Sequence, residues 1–191
     1  MSADLRIRDA APADVPAIAA MMEEFFDYLC ALDGSTSDYV RAEGERKLMA
    51  DGFGARPLFQ AILAETPAGP AGYAIFNLIY WPDTLQATLL MSDLFVRAEH
   101  RGTGVGRAIM DRLAGIGREA GCEQIMWTVW RPNAPAGRFS TAMGAEELPD
   151  EYVMRLPIGG RIYGPPARAA SAIALFVRGG LGFPLARETA Q

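Results

Sequence analysis

The sequence predicts an α/β (α+β) fold with the element order β-α-α-β-β-β-α-β-α-β. Three observations lead to this prediction. Apolar side chains recur every three or four residues in some segments, which is typical of helices, and form continuous or alternating runs in others, which is typical of strands. Clusters of glycine and proline separate these segments. The length of 191 residues fits one domain with a sizeable core.

The first strand and the first two helices have clear local signals. Residues 5–8 alternate between apolar and charged side chains and predict a short strand. Pro12 suits the first turn of a helix, and Asp14 favours the positive end of the helix dipole. A single apolar stripe follows, so this helix is expected to bury one face. A second, more polar helix is expected over residues 39–50.

The rest of the domain is predicted to combine strands with helices. Three strands come first, and the third is long enough to carry a β-bulge. A helix, a strand, a short helix and a last strand follow. The predicted bounds of these seven elements are 58–65, 72–80, 84–96, 102–121, 124–130, 135–143 and 152–156.

The C-terminal part of the chain differs in composition from the rest. Residues 1–157 are predicted to form the domain, and residues 158–191 a C-terminal extension of unknown role. Paired glycines and prolines bracket an alanine-rich apolar stretch in this extension. We favour a loosely packed extension over a docking helix or a partner contact.

Composition excludes several classes of protein and partner. Lys and Arg number 18 against 23 Asp and Glu, for a net charge of −5, so the chain lacks the basic excess that nucleic-acid binding requires. It has neither a secretory signal pattern nor an apolar run near the roughly 20 residues of a membrane span, and we expect a cytoplasmic protein without a membrane partner. Cys30, Cys122 and the single histidine, His100, lack metal-ligand spacing, so no metal site is expected.

The most informative segment is a glycine-rich turn between the third of these strands and the following helix. Its residues are Arg101, Gly102, Thr103, Gly104, Val105, Gly106 and Arg107. Such a turn exposes backbone N–H groups, glycine lets the backbone approach an anion closely, and the helix dipole adds partial positive charge. The two arginines can add charge-assisted contacts. The segment therefore predicts a pyrophosphate-binding site.

Three phosphate-binding patterns compete for this turn. A P-loop needs Lys followed by Ser or Thr after its last glycine, but Arg107 and Ala108 stand there. A dinucleotide-binding turn needs a third glycine and belongs to an early strand–helix unit. Here Arg107 stands in place of that glycine, and the turn follows four strands. The pattern Arg-x-x-Gly-x-Gly/Ala is matched by Arg101, Gly104 and Gly106. A glycine-rich turn without a ligand is the weaker alternative.

This turn resembles the acetyl-CoA pyrophosphate loop of the GCN5-related N-acetyltransferases, the GNAT family, and other motifs resemble its diamine (spermidine/spermine) acetyltransferase branch. Those motifs are Ile7-Arg8, Asp51-Gly52-Phe53-Gly54, Asp93-Leu94-Phe95-Val96, Asn133-x-Pro135 and Met143-Gly144-Ala145. The resemblance covers residues 5–156 and implies a single domain of this family with a mixed central β-sheet flanked by helices. It also implies direct acetyl transfer from acetyl-CoA to a primary amine, and a homodimer, because the family commonly dimerises.

The resemblance further implies cofactor-binding roles for the strand before the turn and for one asparagine. The pantetheine arm of acetyl-CoA is expected to pair with the backbone of Leu94, Phe95 and Val96, where N–H groups would also polarise the thioester oxygen. Asn133 corresponds to a family residue that contacts this arm. Separately, the aromatic rings of Tyr28 and Trp127 are candidate walls of an acceptor pocket, although aromatic residues at strand positions are more often core.

The positions that handle protons in the family differ in this chain. Ser92 stands where the diamine branch has a glutamate, and Ser140 where the family has a tyrosine that protonates the leaving thiolate. Asp93 is the nearest carboxylate, but strand alternation turns it away from Ser92 unless a bulge intervenes. Ser92, Asp93 and Ser140 are therefore the catalytic candidates. We favour a structural role for Asp93 over a role as the general base. A water molecule held by Ser92 is an alternative base.

Two further acids of the diamine branch are replaced, by Leu29 and Arg131. Their loss argues against a polyamine, whose several ammonium groups would need counter-charges in the cleft. We therefore expect an N-acetyltransferase that acts on a primary amine of a small molecule. The alternatives are a CoA-binding regulatory module with lost or weak catalysis, and a protein or peptide N-acetyltransferase.

Overall fold

A five-stranded sheet organises the chain in this computed structural model, which describes residues 4–148, 151, 153 and 154. The sheet order follows the chain order, and only the last pair of neighbouring strands is parallel. The sheet is therefore mixed, as expected. The strands are β1 (Arg6–Asp9), β2 (Gln60–Thr66), β3 (Gly69–Trp81), β4 (Gln86–Val96) and β5 (Cys122–Met126).

Helices cover both faces of the sheet. They are α1 (Val15–Asp33), which a 3₁₀ turn over Pro12–Asp14 precedes, α2 (Arg41–Phe53), α3 (Val105–Glu119) and α4 (Ala134–Ala142). The helices α1 and α2 pack on the face that carries Tyr73 and Phe95. On the opposite face, α3 and a phenylalanine of α4 pack around Phe76 and Leu89. Within the described ranges, no helix is long and apolar enough to cross a membrane.

The predicted order of elements is confirmed as far as α4, and the largest difference in bounds concerns β5. The sequence predicts a strand over residues 124–130, but β5 ends at Met126. The reason is that β4 and β5 pair only as far as Leu90 and Met126, so the chain beyond has no adjacent strand to bond. The predicted last strand, residues 152–156, lies mostly outside the described residues, and the two residues described there, 153 and 154, are not in a strand. The predicted extension over 158–191 also lies outside them.

A β-bulge in β4 sets the direction of the side chains near the middle of the sheet. Ile75 of β3 pairs with Asp93, and the next residue, Phe76, pairs with Met91, so Ser92 is the extra residue. Met91 accordingly belongs to the core on the α3 face. Asp93 points to the other face, where it bonds to a residue of the α1 core. Strand alternation alone would turn Asp93 to the face opposite Ser92, and the bulge that prevents this is present.

Candidate active site

β4 and β5, the last two strands of the described sheet, pair along only part of β4. We call the open edge of β4 beyond Leu90, on the β5 side, the slot. The parallel pairing covers only Ala87 to Leu90 of β4. Beyond that point β4 continues to Val96 with β3 on one side, and no strand among the described residues pairs with its other side. Backbone groups of successive strand residues point to alternate sides, and the N–H of Arg97 donates to the carbonyl of Ala71 on the β3 side. Leu94 and Val96 therefore present their backbone groups to the open edge, whereas those of Phe95 face β3. The open edge can bond an extended ligand as another strand would.

The glycine-rich turn lies at the end of this slot and opens α3. Gly102 and Gly104 have φ angles of +74° and +96°, which side chains other than glycine rarely adopt, and a Cβ built at either residue would meet no atom within 4 Å. Open space therefore lies beside both residues. The N–H of Ala108 donates to the carbonyl of Gly104 at 3.0 Å. The N–H groups of residues 105–107, ahead of this bond, point out of the helix end.

Gly106 and Thr103 each stabilise the structure around the turn through a contact of their own. A Cβ on Gly106 would lie 3.3 Å from Cε2 of Phe139, so glycine lets the start of α3 approach α4. The Thr103 hydroxyl donates to the carbonyl of His100 at 2.7 Å and ties the turn together. The turn is thus fixed by its own packing and hydrogen bonds, with its N-terminal N–H groups directed outward.

The side chains of the two arginines that flank the turn lie in different surroundings. Arg101 Nε donates to the carbonyl of Val96 at 2.9 Å. Its guanidinium carbon lies 4.7 Å from the ring centroid of Tyr28 and 5.5 Å from that of Phe95. Arg107, by contrast, is exposed and has no ion-pair or hydrogen-bond partner for its side chain among the described residues. Arg107 therefore has its whole guanidinium group available for a phosphate, whereas Arg101 is held at its Nε and against two rings.

A hydrogen bond joins α1 to the start of α4 close to Arg101. The Tyr28 hydroxyl donates to Oδ1 of Asn133 at 2.8 Å. Asn133 is the N-cap of α4, where the same oxygen accepts from the N–H of Ala136 at 3.3 Å. The fold therefore brings together Tyr28 and Asn133, which sequence reasoning had assigned to different ligands.

Asp93 has a partner that sequence reasoning missed. The hydroxyl of Tyr73, a fully buried residue of β3, donates to Oδ2 of Asp93 at 2.5 Å. Burial raises the pKa of Asp93 to about 6, although the bonds from Tyr73 and from the Leu94 N–H act in the opposite direction. Burial and the neighbouring Asp93 raise the pKa of Tyr73 well above its usual value, so Tyr73 remains the donor. A tyrosine within an apolar strand is the signal for such a pair, because a buried hydroxyl needs a partner.

The two serine candidates lie in different environments. Ser92 is exposed in the bulge of β4. The Ser140 hydroxyl donates to the carbonyl of Ala136 at 3.0 Å, one turn back in α4, and accepts from Nε1 of Trp127 at 3.1 Å. Its proton is therefore engaged by the helix backbone. Trp127 itself packs against the core on the α3 face.

The two positions where the diamine branch has acids supply no negative charge in this chain. Leu29 is 8% exposed and forms part of the core. Arg131 is exposed and pairs with Glu147 at 2.9 Å. Glu24 of α1 faces the end of β4, but Arg97 lies 3.0 Å from its carboxylate.

A family model and curated relatives match most of the domain. The model of the Acetyltransferase (GNAT) family matches residues 19–145. Thialysine N-epsilon-acetyltransferase of Sus scrofa is 30% identical over 154 residues, which cover 76% of this chain and 86% of that protein. Spermidine/spermine N(1)-acetyltransferase-like protein 1 of Homo sapiens is 27% identical over 160 residues, which cover 76% of this chain and 21% of that protein.

Solved structures share the fold at lower sequence identity. An integron cassette protein from V. cholerae superposes with a TM-score of 0.70 and 21% identity, over 81% of this chain and 93% of that one. An aminoglycoside acetyltransferase from a soil metagenomic sample has a TM-score of 0.60 and 16% identity, over 80% of this chain and 97% of that one.

Proposed function

The chain belongs to the GNAT family of N-acetyltransferases, and from this premise we propose that it transfers an acetyl group from acetyl-CoA directly to the primary amine of a small molecule. The single observation that carries the proposal is the slot on the β5 side of β4, which leads to the outward-facing N–H groups at the start of α3. The slot can hold an extended arm, and the helix start can hold an anion at its end. The two features together fit a CoA-type ligand.

The residues present fit acetyl-CoA as a co-substrate. The N–H groups of the turn from Gly102 to Arg107 would hold the pyrophosphate, with the free Arg107 side chain adding a charge. The open space beside Gly102 and Gly104 leaves room for the phosphate oxygens. The segment Leu94, Phe95 and Val96 would pair with the pantetheine arm through the open-edge backbone groups of Leu94 and Val96, and Asn133 would contact the arm from the start of α4. The proposed transfer uses no metal ion.

The chemistry requires polarisation of a carbonyl and removal of a proton from the amine. When bound, acetyl-CoA supplies an electrophilic thioester carbonyl. Backbone N–H groups on the open edge of β4 would stabilise negative charge on the carbonyl oxygen, as an oxyanion hole does. Asp93, directed by the bulge and held by Tyr73, is the proposed base, and it would act directly or through a water bound by Ser92. A pKa of about 6 leaves Asp93 ionised at neutral pH.

The acceptor is proposed to be a small primary amine with few positive charges. Leu29 is buried, Arg131 is paired with Glu147, and Glu24 is paired with Arg97, so these positions do not supply free acids for a polycation. The names of the relatives refer to thialysine and to spermidine or spermine, and an amine of the first kind needs fewer counter-charges. The rings of Tyr28 and Trp127 remain proposed walls of the pocket.

Steady-state acetylation of an amine panel tests this proposal. Release of CoA thiol would be followed with thialysine, lysine, a diamine, spermidine, an aminoglycoside and a peptide with a free N-terminus. We expect turnover above all with thialysine or lysine, whose carboxylate gives them the lowest net positive charge among the small amines of the panel. A preference for the peptide would replace the small-molecule assignment with protein acetylation.

A second candidate function is a CoA-binding module without catalysis. The engaged hydroxyl of Ser140 and the serine at position 92 favour it, since neither replaces the proton-handling residue of the family directly. Binding of acetyl-CoA in calorimetry without turnover on any amine would support this candidate. The cytoplasmic location, the homodimer and the domain boundary at residue 157 stay predictions.

A further inference from the structure

We propose that Tyr28 is a positioning residue that fixes the side-chain amide of Asn133 with its NH₂ group toward the cofactor slot, and that Arg101 acts by holding Tyr28 and not by contacting the pyrophosphate. This inference rests on the proposed function, because it takes the slot as the place of the pantetheine arm. Under this proposal, Arg101 and Tyr28 act together to orient the side-chain amide of Asn133.

The orientation of the Asn133 amide follows from its two donors. Oδ1 accepts from the Tyr28 hydroxyl at 2.8 Å and from the Ala136 N–H at 3.3 Å. An amide oxygen has two lone pairs, and both are used here. If the amide were flipped, the NH₂ group would face the Ala136 N–H, which can only donate. The helix cap and Tyr28 therefore select one orientation.

This orientation leaves two donors of Asn133 without an acceptor among the described residues. Asn133 is only 8% exposed, and its Nδ2 takes part in none of the hydrogen bonds of that part of the chain. Nδ2 is not one of the fully buried polar atoms that lack a partner, so its N–H groups reach solvent, and an acceptor of a bound ligand can take the place of that water. The amide carbonyls of a pantetheine arm are acceptors of that kind. Asn133 is therefore set up to donate.

Arg101 fixes the position of the Tyr28 ring. The Nε bond to the Val96 carbonyl anchors the side chain to the end of β4, and the guanidinium group lies over the Tyr28 ring at 4.7 Å. A cation above a tyrosine face is attracted by the ring. A side chain held at both points is directed toward α1. Because its Nη groups keep donors of their own, the salt dependence of CoA binding tests whether Arg101 also reaches the phosphate.

The result is a continuous series of contacts that joins the end of β4 to the start of α4. It starts at the Val96 carbonyl, passes through Arg101 and Tyr28, and ends at Asn133 at the start of α4. Removal of the Tyr28 hydroxyl breaks this series at one bond without removing any direct contact with the cofactor. Its effect should therefore depend on the presence of Asn133.

Calorimetric titration with CoA tests this dependence without requiring turnover. Tyr28→Phe is expected to raise the Kd about fivefold to tenfold, the size of one hydrogen bond. Asn133→Asp keeps oxygens for the Tyr28 hydroxyl and the Ala136 N–H but loses the NH₂ group, and Asn133→Ser keeps a helix cap. Each of these two variants should raise the Kd at least as much as Tyr28→Phe does. In the Asn133→Ser background, Tyr28→Phe should add less than twofold. Tyr80→Phe, an exposed tyrosine on β3, is the matched control.

Three outcomes would overturn the inference while leaving the function intact. In the first, Tyr28→Phe binds CoA with the wild-type Kd. In the second, the increases in Kd caused by Tyr28→Phe and Asn133→Ser multiply in the double variant. In the third, the Kd of Arg101→Gln loses its salt dependence. The last would mean a direct phosphate contact, and only Arg107→Gln is expected to reduce the salt dependence. No binding of CoA by the wild-type protein would instead reject the proposed function. Unchanged thermal unfolding midpoints would show that each variant is folded.

Discussion

The Tyr73 hydroxyl donates to Asp93 Oδ2 at 2.5 Å from the adjacent strand, and this bond fixes the only carboxylate on the strand segment that lines the slot. The contact depends on the bulge at Ser92, because without it Asp93 would face α3, as Met91 does. One extra residue in β4 therefore directs a half-buried acid, and Tyr73 holds it in place. This arrangement supports a catalytic role for Asp93 as well as a structural one, and the two can be separated experimentally.

The pH dependence of activity tests the catalytic role of Asp93. Because only the ionised carboxylate can accept a proton, kcat/KM should rise with pH through an acid limb near pH 6, the pKa of Asp93. The bond from Tyr73 lowers this pKa, so Tyr73→Phe should move the acid limb to higher pH. Tyr80→Phe is the control. An acid limb that stays in place in Tyr73→Phe would assign the base to another group.

The stability of Asp93→Asn tests the burial of the acid independently of turnover. The pKa of Asp93 is about 6 in the folded protein and near its usual 3.8 in the unfolded chain, so the folded state binds this proton more tightly. Ionisation therefore destabilises the fold as the pH rises from about 4 to about 6. Asparagine cannot ionise and still offers an oxygen to Tyr73. The free energy of unfolding of Asp93→Asn, from urea titrations, should increase relative to the wild type over that range and then level off.

The matched control for this measurement is Asp83→Asn, in the exposed turn between β3 and β4. A constant difference between Asp93→Asn and the wild type from pH 4 to pH 8 would contradict a raised pKa for Asp93. It would also weaken the assignment of the acid limb to this residue.

The glycine-rich turn could be predicted from sequence because its determinants are local. Glycines before an amphipathic helix, with Arg101 and Arg107 around them, indicate both the positive φ angles and the helix start. The two hydrogen bonds that organise the site are not local. Tyr73 and Asp93 are 20 residues apart, and Tyr28 and Asn133 are 105 apart, so only the pairing of strands and helices brings them together.

The β4–β5 slot shows the same limit of sequence reasoning. Residues 127–130 have the side chains of a strand, and the sequence accordingly predicts one. Strand formation also needs hydrogen bonds to an adjacent strand, and the pairing with β4 ends at Leu90 and Met126 although β4 itself continues to Val96. The sequence indicates that this strand is long enough for a bulge and that Asp93 needs one to share a face with Ser92, but the position of the bulge is defined by the register with β3.

Gly104→Glu tests the pyrophosphate site. The substitution places a carboxylate beside the outward N–H groups and forces a side chain into a φ of +96°, so we expect the Kd for CoA to rise at least 100-fold. Gly104→Ala has the same backbone cost without the charge and should weaken binding less. Gly115→Glu adds the same charge further along α3, at a position with open space, and is the control. Unchanged CoA affinity in Gly104→Glu would reject this site for the pyrophosphate.

Gly106→Val tests the packing reason for the last glycine of the turn. Its Cβ would lie 3.3 Å from Phe139, and the valine methyl groups would come closer still, so we expect a loss of about 1–3 kcal/mol in the free energy of unfolding. Phe139→Leu on the same protein should recover part of that loss by making room. Urea titrations of the two single variants and the double variant measure the coupling. Additive losses would show that Gly106 does not serve the contact between α3 and α4.

Ser140→Tyr tests how the leaving thiolate obtains its proton. The Ser140 proton is engaged by the Ala136 carbonyl, so Ser140→Ala should leave kcat within about twofold. A tyrosine hydroxyl at this position reaches further and can donate directly, and general-acid catalysis is worth about 100-fold or more when well placed. We therefore expect kcat to increase at least about tenfold in Ser140→Tyr but not in Ser140→Phe, which adds the ring alone. Equal rates in the tyrosine and phenylalanine variants would mean that solvent protonates the thiolate and that this position has no part in the transfer.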